Sequence, residues 1–179
     1  SYFAERIVFA GVVTVIVFAS LSLITLALGA VFGMRFETMD DPLAFIVWTA
    51  ASCMNVWALA VLSLILVYAT RIVPISYIGS FMLCSAIAPE TLSLASGLIQ
   101  AYAPGLMGVA DVLSELVCWI PSNLTNWLFA GGASSMAAGW GSIGAALPGA
   151  GITQAIVAPA LWIAAASALV LAIGRKRDI

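Results

Sequence analysis

Four long apolar segments constrain this chain more than any other feature of its sequence. Each is long enough to cross about 30 Å of hydrocarbon, a distance that takes about 20 helical residues. Inside a membrane only helices and closed barrels satisfy every backbone polar group, and segments of this length fit helices. The segments are about Ile7–Phe32, Leu43–Thr70, Ile72–Ala101 and Ile152–Ile173. The sequence therefore predicts an all-α integral membrane protein whose residues form one transmembrane domain.

The composition agrees with this prediction. Hydrophobic residues make up 64% of the chain and charged residues 8%, whereas a soluble domain carries about 25% charged residues. The first segment is far longer than the apolar part of a secretory signal peptide, so we expect a membrane span there. Within the third segment, Pro89 and Glu90 predict a break or a kink, after which the helix continues towards Tyr102.

The basic residues predict how the spans are oriented. A cationic tail follows the last apolar segment directly, and loops rich in Lys and Arg stay on the cytoplasmic side. Alternation of four spans then places Arg6 on that side too, and only Arg35 on the other. The residues of this cytoplasmic anchor are Arg71, Arg175, Lys176 and Arg177. We expect a multi-pass protein of a bacterial plasma membrane with both termini in the cytoplasm.

The stretch of about residues 103–130 is predicted to be helical, extracellular and too short to span. Apolar residues recur there at spacings of three and four, with Asp111, Glu115 and Cys118 on the opposite face. This pattern indicates an amphipathic helix that Pro121 ends. The apolar positions are Leu106, Val109, Ala110, Leu113, Leu116, Val117 and Ile120.

A second short helix is predicted directly after the first. Ser122 or Asn123 has the side chain of a helix N-cap, and the glycines at 131 and 132 end the helix after Phe129. Two arrangements suit the pair: two helices that dip into the outer leaflet with Trp119, Trp127 and Trp140 at the interface, or amphipathic helices that cover the bundle from outside.

Packing residues and one buried amide are also visible in the spans. Ala160, Ala164 and Ala168 form a stripe of small residues on the last span, which favours close approach of a neighbouring helix. Asn55 lies within the second span, so we expect its amide either to bond to a neighbouring helix or to face a substrate path.

Signals for catalysis are missing. The chain has no histidine, and Lys176 is its only lysine, so it contains no phosphate-binding loop of the GxxxxGK[ST] type. Asp111 and Glu115 are interpreted as the solvated side of an outer helix rather than an acid–base pair. Apart from Glu90 at the predicted break of the third segment, no charged residue lies in the middle of a span, which argues against an ion-coupled carrier and against a channel built on charged rings. We predict no catalytic, cofactor-binding or metal-binding residue.

Three short elements, in this order along the chain, give it a resemblance to a known family. They are Thr70-Arg71-Ile72-Val73-Pro74, Trp119-Ile120-Pro121-Ser122-Asn123 and the ending Arg175-Lys176-Arg177-Asp178-Ile179. They resemble a basic turn between two spans, a Leu-Pro-Ser element before the final span, and an Arg-Arg-Asp-apolar ending. Together they are similar to the type-2 ABC exporter permeases, the ABC-2 type membrane subunits that pair with a separate ATPase chain.

The resemblance implies a permease subunit of an ATP-driven exporter that works by alternating access. Ile7–Phe32 would be the third of six spans, and two spans with a coupling helix that docks on the ATPase would precede Ser1. The partners would be the ATPase subunit, which binds ATP and Mg²⁺, and a second permease copy or paralogue, with no nucleic acid. The outer gate would include Asp111, Glu115, Pro121, Ser122 and Asn123.

Other functions remain open from the sequence. The main alternative is a small non-transport membrane subunit with four spans, such as a scaffold, an accessory protein or an immunity protein. A fragment of a secondary transporter would require inverted repeats, which the spans do not show. A membrane-embedded enzyme would require the motifs that are missing.

Overall fold

A computed structural model describes residues 2–33, 42–70, 72–85, 87–131 and 152–175. Every regular element in these ranges is a helix, so the predicted all-α fold is confirmed. A 3₁₀ turn at Pro104–Leu106 precedes the fifth helix. The α-helices are α1 (Tyr2–Phe32), α2 (Pro42–Thr70), α3 (Val73–Cys84), α4 (Ile87–Tyr102), α5 (Met107–Trp119), α6 (Pro121–Gly131) and α7 (Ile152–Arg175).

Three helices are long and apolar enough to cross a membrane, and a bent pair forms the fourth span if it is counted as one. The three are α1, α2 and α7. The pair is α3 with α4, whose axes differ in direction by 57°. The ends of α1, α2 and α7 agree with the predicted spans to within five residues at each end.

The break between α3 and α4 comes earlier than the sequence predicted. We expected it at Pro89 and Glu90, but α3 ends at Cys84 and Pro89 lies inside the first turn of α4. A proline ring clashes with the carbonyl group four residues before it, which here belongs to Ser85. In a first helical turn the missing amide of proline removes no hydrogen bond. Pro89 therefore ends the helix before it and is accommodated in the helix after it.

The core of the bundle forms around α2, which packs most extensively on α7 and also contacts α1, α3 and α6. At one end, Phe3 contacts the ring of Tyr68 edge-on and lies against Gly174. The start of α1 and the ends of α2 and α7 therefore meet at the same end of the bundle. This arrangement is expected when successive spans cross a membrane in alternating directions. The buried residues of this cluster are Ile7, Val61, Ala166 and Val170.

The helix face of α7 that packs inward is not the predicted one. The stripe of Ala160, Ala164 and Ala168 is exposed, and α7 instead buries Ala155, Ala158 and Ala166. Both faces of this helix are apolar because lipid and protein interior favour the same side chains, so composition could not distinguish them.

Candidate functional site

The helical hairpin α5–α6 reaches deep into the bundle. Its turn is fixed by the indole nitrogen of Trp162, which donates a 2.8 Å hydrogen bond to the carbonyl oxygen of Trp119. Trp162 lies ten positions after Ile152, the first residue of α7, which corresponds to about 15 Å along a helix axis. The turn of the hairpin therefore lies well inside the bundle.

The register of α6 is set by three apolar contacts. Leu128 packs with Ala51 of α2 and Ala155 of α7, while Leu124, one turn deeper, packs with Ala158. Helix α6 therefore runs antiparallel to both α2 and α7, with Pro121 at its deep end. Phe129 stacks on Phe18 of α1 at a ring distance of 6.2 Å. Three helices consequently surround α6.

Two tryptophans hold the ends of the hairpin helices. The last carbonyl groups of a helix lack partners within the helix, and an unpaired carbonyl is costly where water is excluded. The indole N–H of Trp162 donates to the carbonyl oxygen of Trp119 at the end of α5. Trp48 of α2 donates a 2.8 Å hydrogen bond to the carbonyl oxygen of Leu128 in the last turn of α6. The hairpin is thereby attached to α2 and to α7 through separate polar bonds.

Asn123 stabilises the turn of the hairpin from within. Proline has no amide hydrogen, so Pro121 cannot donate to the carbonyl of Val117, which accepts instead from the amide of Ile120 at 3.3 Å. The side-chain amide of Asn123 donates to that carbonyl at 3.0 Å. The predicted N-cap role of Ser122 or Asn123 is wrong, because α6 begins at Pro121 and the Ile120 carbonyl already accepts from the amide of Leu124. Because proline is tolerated at the first helical position, α6 begins earlier in the chain than predicted, at Pro121.

The side-chain amide of Asn55 makes a comparable hydrogen bond between two spans. Pro159, which is fully buried inside α7, leaves the Ala155 carbonyl without a helical donor. The amide of Asn55 donates to this carbonyl at 3.2 Å and to Ala51 of its own helix at 2.9 Å. The expected bond from Asn55 to a neighbouring helix is thus present.

Three buried oxygens near the hairpin have no hydrogen-bond partner among the described residues. They are the Oγ atoms of Ser52 and Ser122 and the Oδ1 atom of Asn55. All three residues are 0% exposed. Each unpaired group costs about 1–3 kcal/mol of stability. Thr14, Thr49 and Thr70 behave differently, because each hydroxyl donates to the carbonyl four residues earlier.

The predicted outer-gate carboxylates lie on the exposed side of α5. Asp111 and Glu115 are both exposed, and Glu115 lines a shallow groove with Val112, Leu116 and Trp119. Pro121, Ser122 and Asn123 are buried at the deep end of α6 instead. The structure therefore brings the three turn residues together and keeps the two carboxylates apart from them.

The buried face predicted for α5 is only partly confirmed. Ala110 and Val117 are buried as predicted, but Cys118 from the predicted polar face is buried too. Three predicted inward residues, Leu106, Val109 and Leu116, are exposed. Small side chains face inward because α5 packs closely on α4, where Ser96 bonds to the Ala110 carbonyl at 2.9 Å.

Of the three tryptophans predicted at the membrane interface, Trp119 and Trp127 pack within the bundle, and Trp140 lies outside the described residues. Trp127 is 6% exposed and packs with Ala51, Leu128 and Ala155, and Trp119 is half-buried against Leu124. Trp48 and Trp162, which hold the hairpin, were not singled out from the sequence. A tryptophan within a span next to a predicted re-entrant element is the signal that could have identified them, since its indole N–H requires an acceptor when buried.

One residue of the predicted cytoplasmic anchor is described. Arg175 is exposed at the last position of α7, at the bundle end where Arg6 lies over the Tyr2 ring at 4.8 Å. Arg71, Lys176 and Arg177 lie outside the described residues.

Among the residues that the structure describes, no three His, Cys, Asp or Glu side chains gather in a way that could hold a metal ion. No family model, curated protein or solved structure matches the chain.

Proposed function

We propose that this chain is the membrane-spanning permease subunit of an ATP-driven exporter of the type-2 ABC class. The observation that supports the proposal is the helical hairpin α5–α6, which follows the bent pair α3–α4 in the chain, precedes α7, and packs against α4 and α2. The element that resembles the family motif, Trp119 to Asn123, forms the deep turn of this hairpin. A re-entrant helix pair before the last span is what the resemblance implies.

The hairpin is suited to work as an outer gate. It is attached to α2 and α7 through indole hydrogen bonds, which can break and re-form as the spans move. The buried Oγ atom of Ser122, which has no partner among the described residues, makes the closed hairpin less stable than an apolar helix of the same shape would be. A small energy input can therefore displace it, as alternating access requires.

The energy in this proposal comes from another polypeptide. A separate ATPase subunit binds ATP and Mg²⁺ on the cytoplasmic side, and a second permease copy or paralogue completes the path. Both termini lie in the cytoplasm of a bacterial cell, and the protein resides in the plasma membrane. The scarcity of charged residues in the spans favours an amphipathic or hydrophobic cargo.

Co-purification tests this proposal. A tagged protein is extracted from its native membrane in mild detergent, and the proteins bound to it are identified by mass spectrometry. We expect an ATPase subunit with a phosphate-binding loop to be enriched over a tagged control membrane protein. Purification without any ATPase would instead favour a non-transport membrane subunit.

A further inference from the structure

Aromatic packing brings the start of α1 against the ends of α2 and α7. The ring of Phe3 lies 5.6 Å from the ring of Tyr2 and 5.0 Å from the ring of Tyr68. The same side chain occupies the space that a Cβ atom at position 174 would need. Helix α1 therefore approaches α7 this closely only because Gly174 has no side chain. Packing thus fixes the spacing between these two helix ends.

Two cations flank this contact. Arg6 follows Phe3 by three residues, which places both on neighbouring positions of one helix face. Arg175 directly follows Gly174. The guanidinium of Arg6 lies 4.8 Å from the centre of the Tyr2 ring, one turn nearer to the end of α1. Both arginines are exposed, and neither forms an ion pair with a carboxylate of the described residues.

The nearest carboxylate in the described sequence lies on another side of α1. Residues two apart on a helix differ in direction by about 200°, so Glu5 is on the side of α1 away from Phe3. There it lines a shallow groove with Val8, Phe9 and Val12. Among the described residues, the contact between α1 and α7 therefore carries a net positive charge.

The position of these cations favours a lipid headgroup over a soluble anion. Helices α1, α2 and α7 are long and apolar enough to span a membrane, and the three meet at this end of the bundle. Basic residues next to a span attract anionic lipids, and tyrosine is favoured at the same level. Tyr2 is 56% exposed there, and Phe9, one turn further along α1 than Arg6, is 60% exposed. A lipid covers such apolar side chains with its acyl chains, which a soluble phosphate lacks.

We propose that Arg6 and Arg175 bind the phosphate group of an anionic phospholipid at this end of the bundle. Both guanidiniums donate hydrogen bonds to the phosphate oxygens. The ring of Tyr2 holds the guanidinium of Arg6 in place. The contact of Phe3 with Gly174 sets the spacing of the two cations, so the bound lipid joins the first span to the last. The site needs only a chain that spans a membrane and is independent of the proposed transport function.

Lipid occupancy tests the role of the two cations. The full chain in detergent is mixed with phosphatidylglycerol or with phosphatidylcholine of the same acyl chains, and native mass spectrometry counts the bound lipids. We expect phosphatidylglycerol to bind preferentially, and Arg6→Gln and Arg175→Gln each to lower its occupancy at least about threefold. Arg35→Gln is the matched control, because it removes the same charge beyond the opposite end of α1. It should leave the occupancy unchanged.

Two further arms test the geometry of the site and the source of the phosphate. Gly174→Ala keeps every charge but forces Phe3 away from α7, so it should lower the occupancy, whereas Gly97→Ala, which meets no neighbour, should not. Glycerol phosphate carries the charged group without acyl chains and should not displace the lipid at equal concentration. Equal losses in Arg35→Gln and Arg6→Gln, unchanged occupancy in Gly174→Ala, or displacement by glycerol phosphate would overturn the proposal. None of these results bears on the co-purification of an ATPase, so the two proposals can fail separately.

Discussion

The side-chain amide of Asn55 donates a hydrogen bond to the carbonyl oxygen of Ala155, 100 residues away in the chain. Pro159 is the reason that this carbonyl is free, since it lacks the amide that would bond to it within α7. A polar residue of one span thus compensates for a proline in another. A similar contact occurs in the hairpin, where the amides of Asn123 and Ile120 both donate to the Val117 carbonyl, which has no donor at Pro121.

This compensation predicts coupling between positions 55 and 159. Asn55→Leu should lower the free energy of unfolding by about 1–2 kcal/mol, because the Ala155 carbonyl loses its donor. In a Pro159→Ala background, residue 159 regains its backbone amide, which can donate to the Ala155 carbonyl. Asn55→Leu should then lower the free energy of unfolding by less. A double-mutant cycle from unfolding in mixed micelles measures the difference. Additive effects of the two substitutions would contradict the role assigned to Asn55.

The bond from Trp162 to Trp119 predicts a local effect on the hairpin. Trp162→Phe keeps the aromatic ring but removes the donor, so amides of α5 and α6 should exchange hydrogen faster by severalfold. Trp57→Phe is the matched control, because Trp57 donates to the Ile7 carbonyl of α1, away from the hairpin. Mass-spectrometric hydrogen exchange in nanodiscs distinguishes the two. Equal exchange of the hairpin in both variants would show that Trp162 does not hold it.

The buried hydroxyls predict opposite effects of serine-to-alanine changes. Ser122→Ala and Ser52→Ala remove unpaired groups, so stability should stay unchanged or rise. Ser96→Ala removes a buried hydroxyl that donates to the Ala110 carbonyl, so stability should fall by about 1 kcal/mol. The midpoint of thermal unfolding in detergent provides the comparison. A loss at Ser122 as large as at Ser96 would mean that the Ser122 hydroxyl has a partner.

The orientation of the chain predicts which side of α5 reacts in cells. Asp111→Cys and Glu115→Cys place thiols on its exposed face. If both termini lie in the cytoplasm, as we propose, a membrane-impermeant maleimide should label these thiols from outside intact cells. Arg175→Cys, at the opposite end of the bundle, is the control and should react only after lysis. Labelling of position 175 in intact cells, with labelling of positions 111 and 115 only after lysis, would show that the topology is the reverse of the proposed one.

The lengths of the helices could be predicted from the sequence because apolar runs and prolines act locally. The end of α5 followed from Pro121, but α6 begins at Pro121 itself and not after a cap at Ser122 or Asn123. The helix faces could not be predicted in the same way. In α7 the exposed Ala164 and the buried Ala166 have the same side chain, and lipid and protein interior select for it equally.

The polar contacts of the candidate site depend on pairs that are distant in sequence. Trp48 and Leu128 are 80 residues apart, and Asn55 and Ala155 are 100 apart. No residue near Asn55 in the sequence indicates that the Ala155 carbonyl is its hydrogen-bond partner. A general rule could have helped, because a proline inside an apolar span always frees one carbonyl that a donor from another helix must satisfy.

The central claim is that this chain forms a transport path whose energy is released in another polypeptide. Its most direct test is ATP hydrolysis by the purified chain alone and by the chain together with its co-purified partner, both in nanodiscs. The account predicts hydrolysis only in the complex, abolished by substituting the phosphate-binding lysine of the partner. Hydrolysis by this chain alone would contradict it.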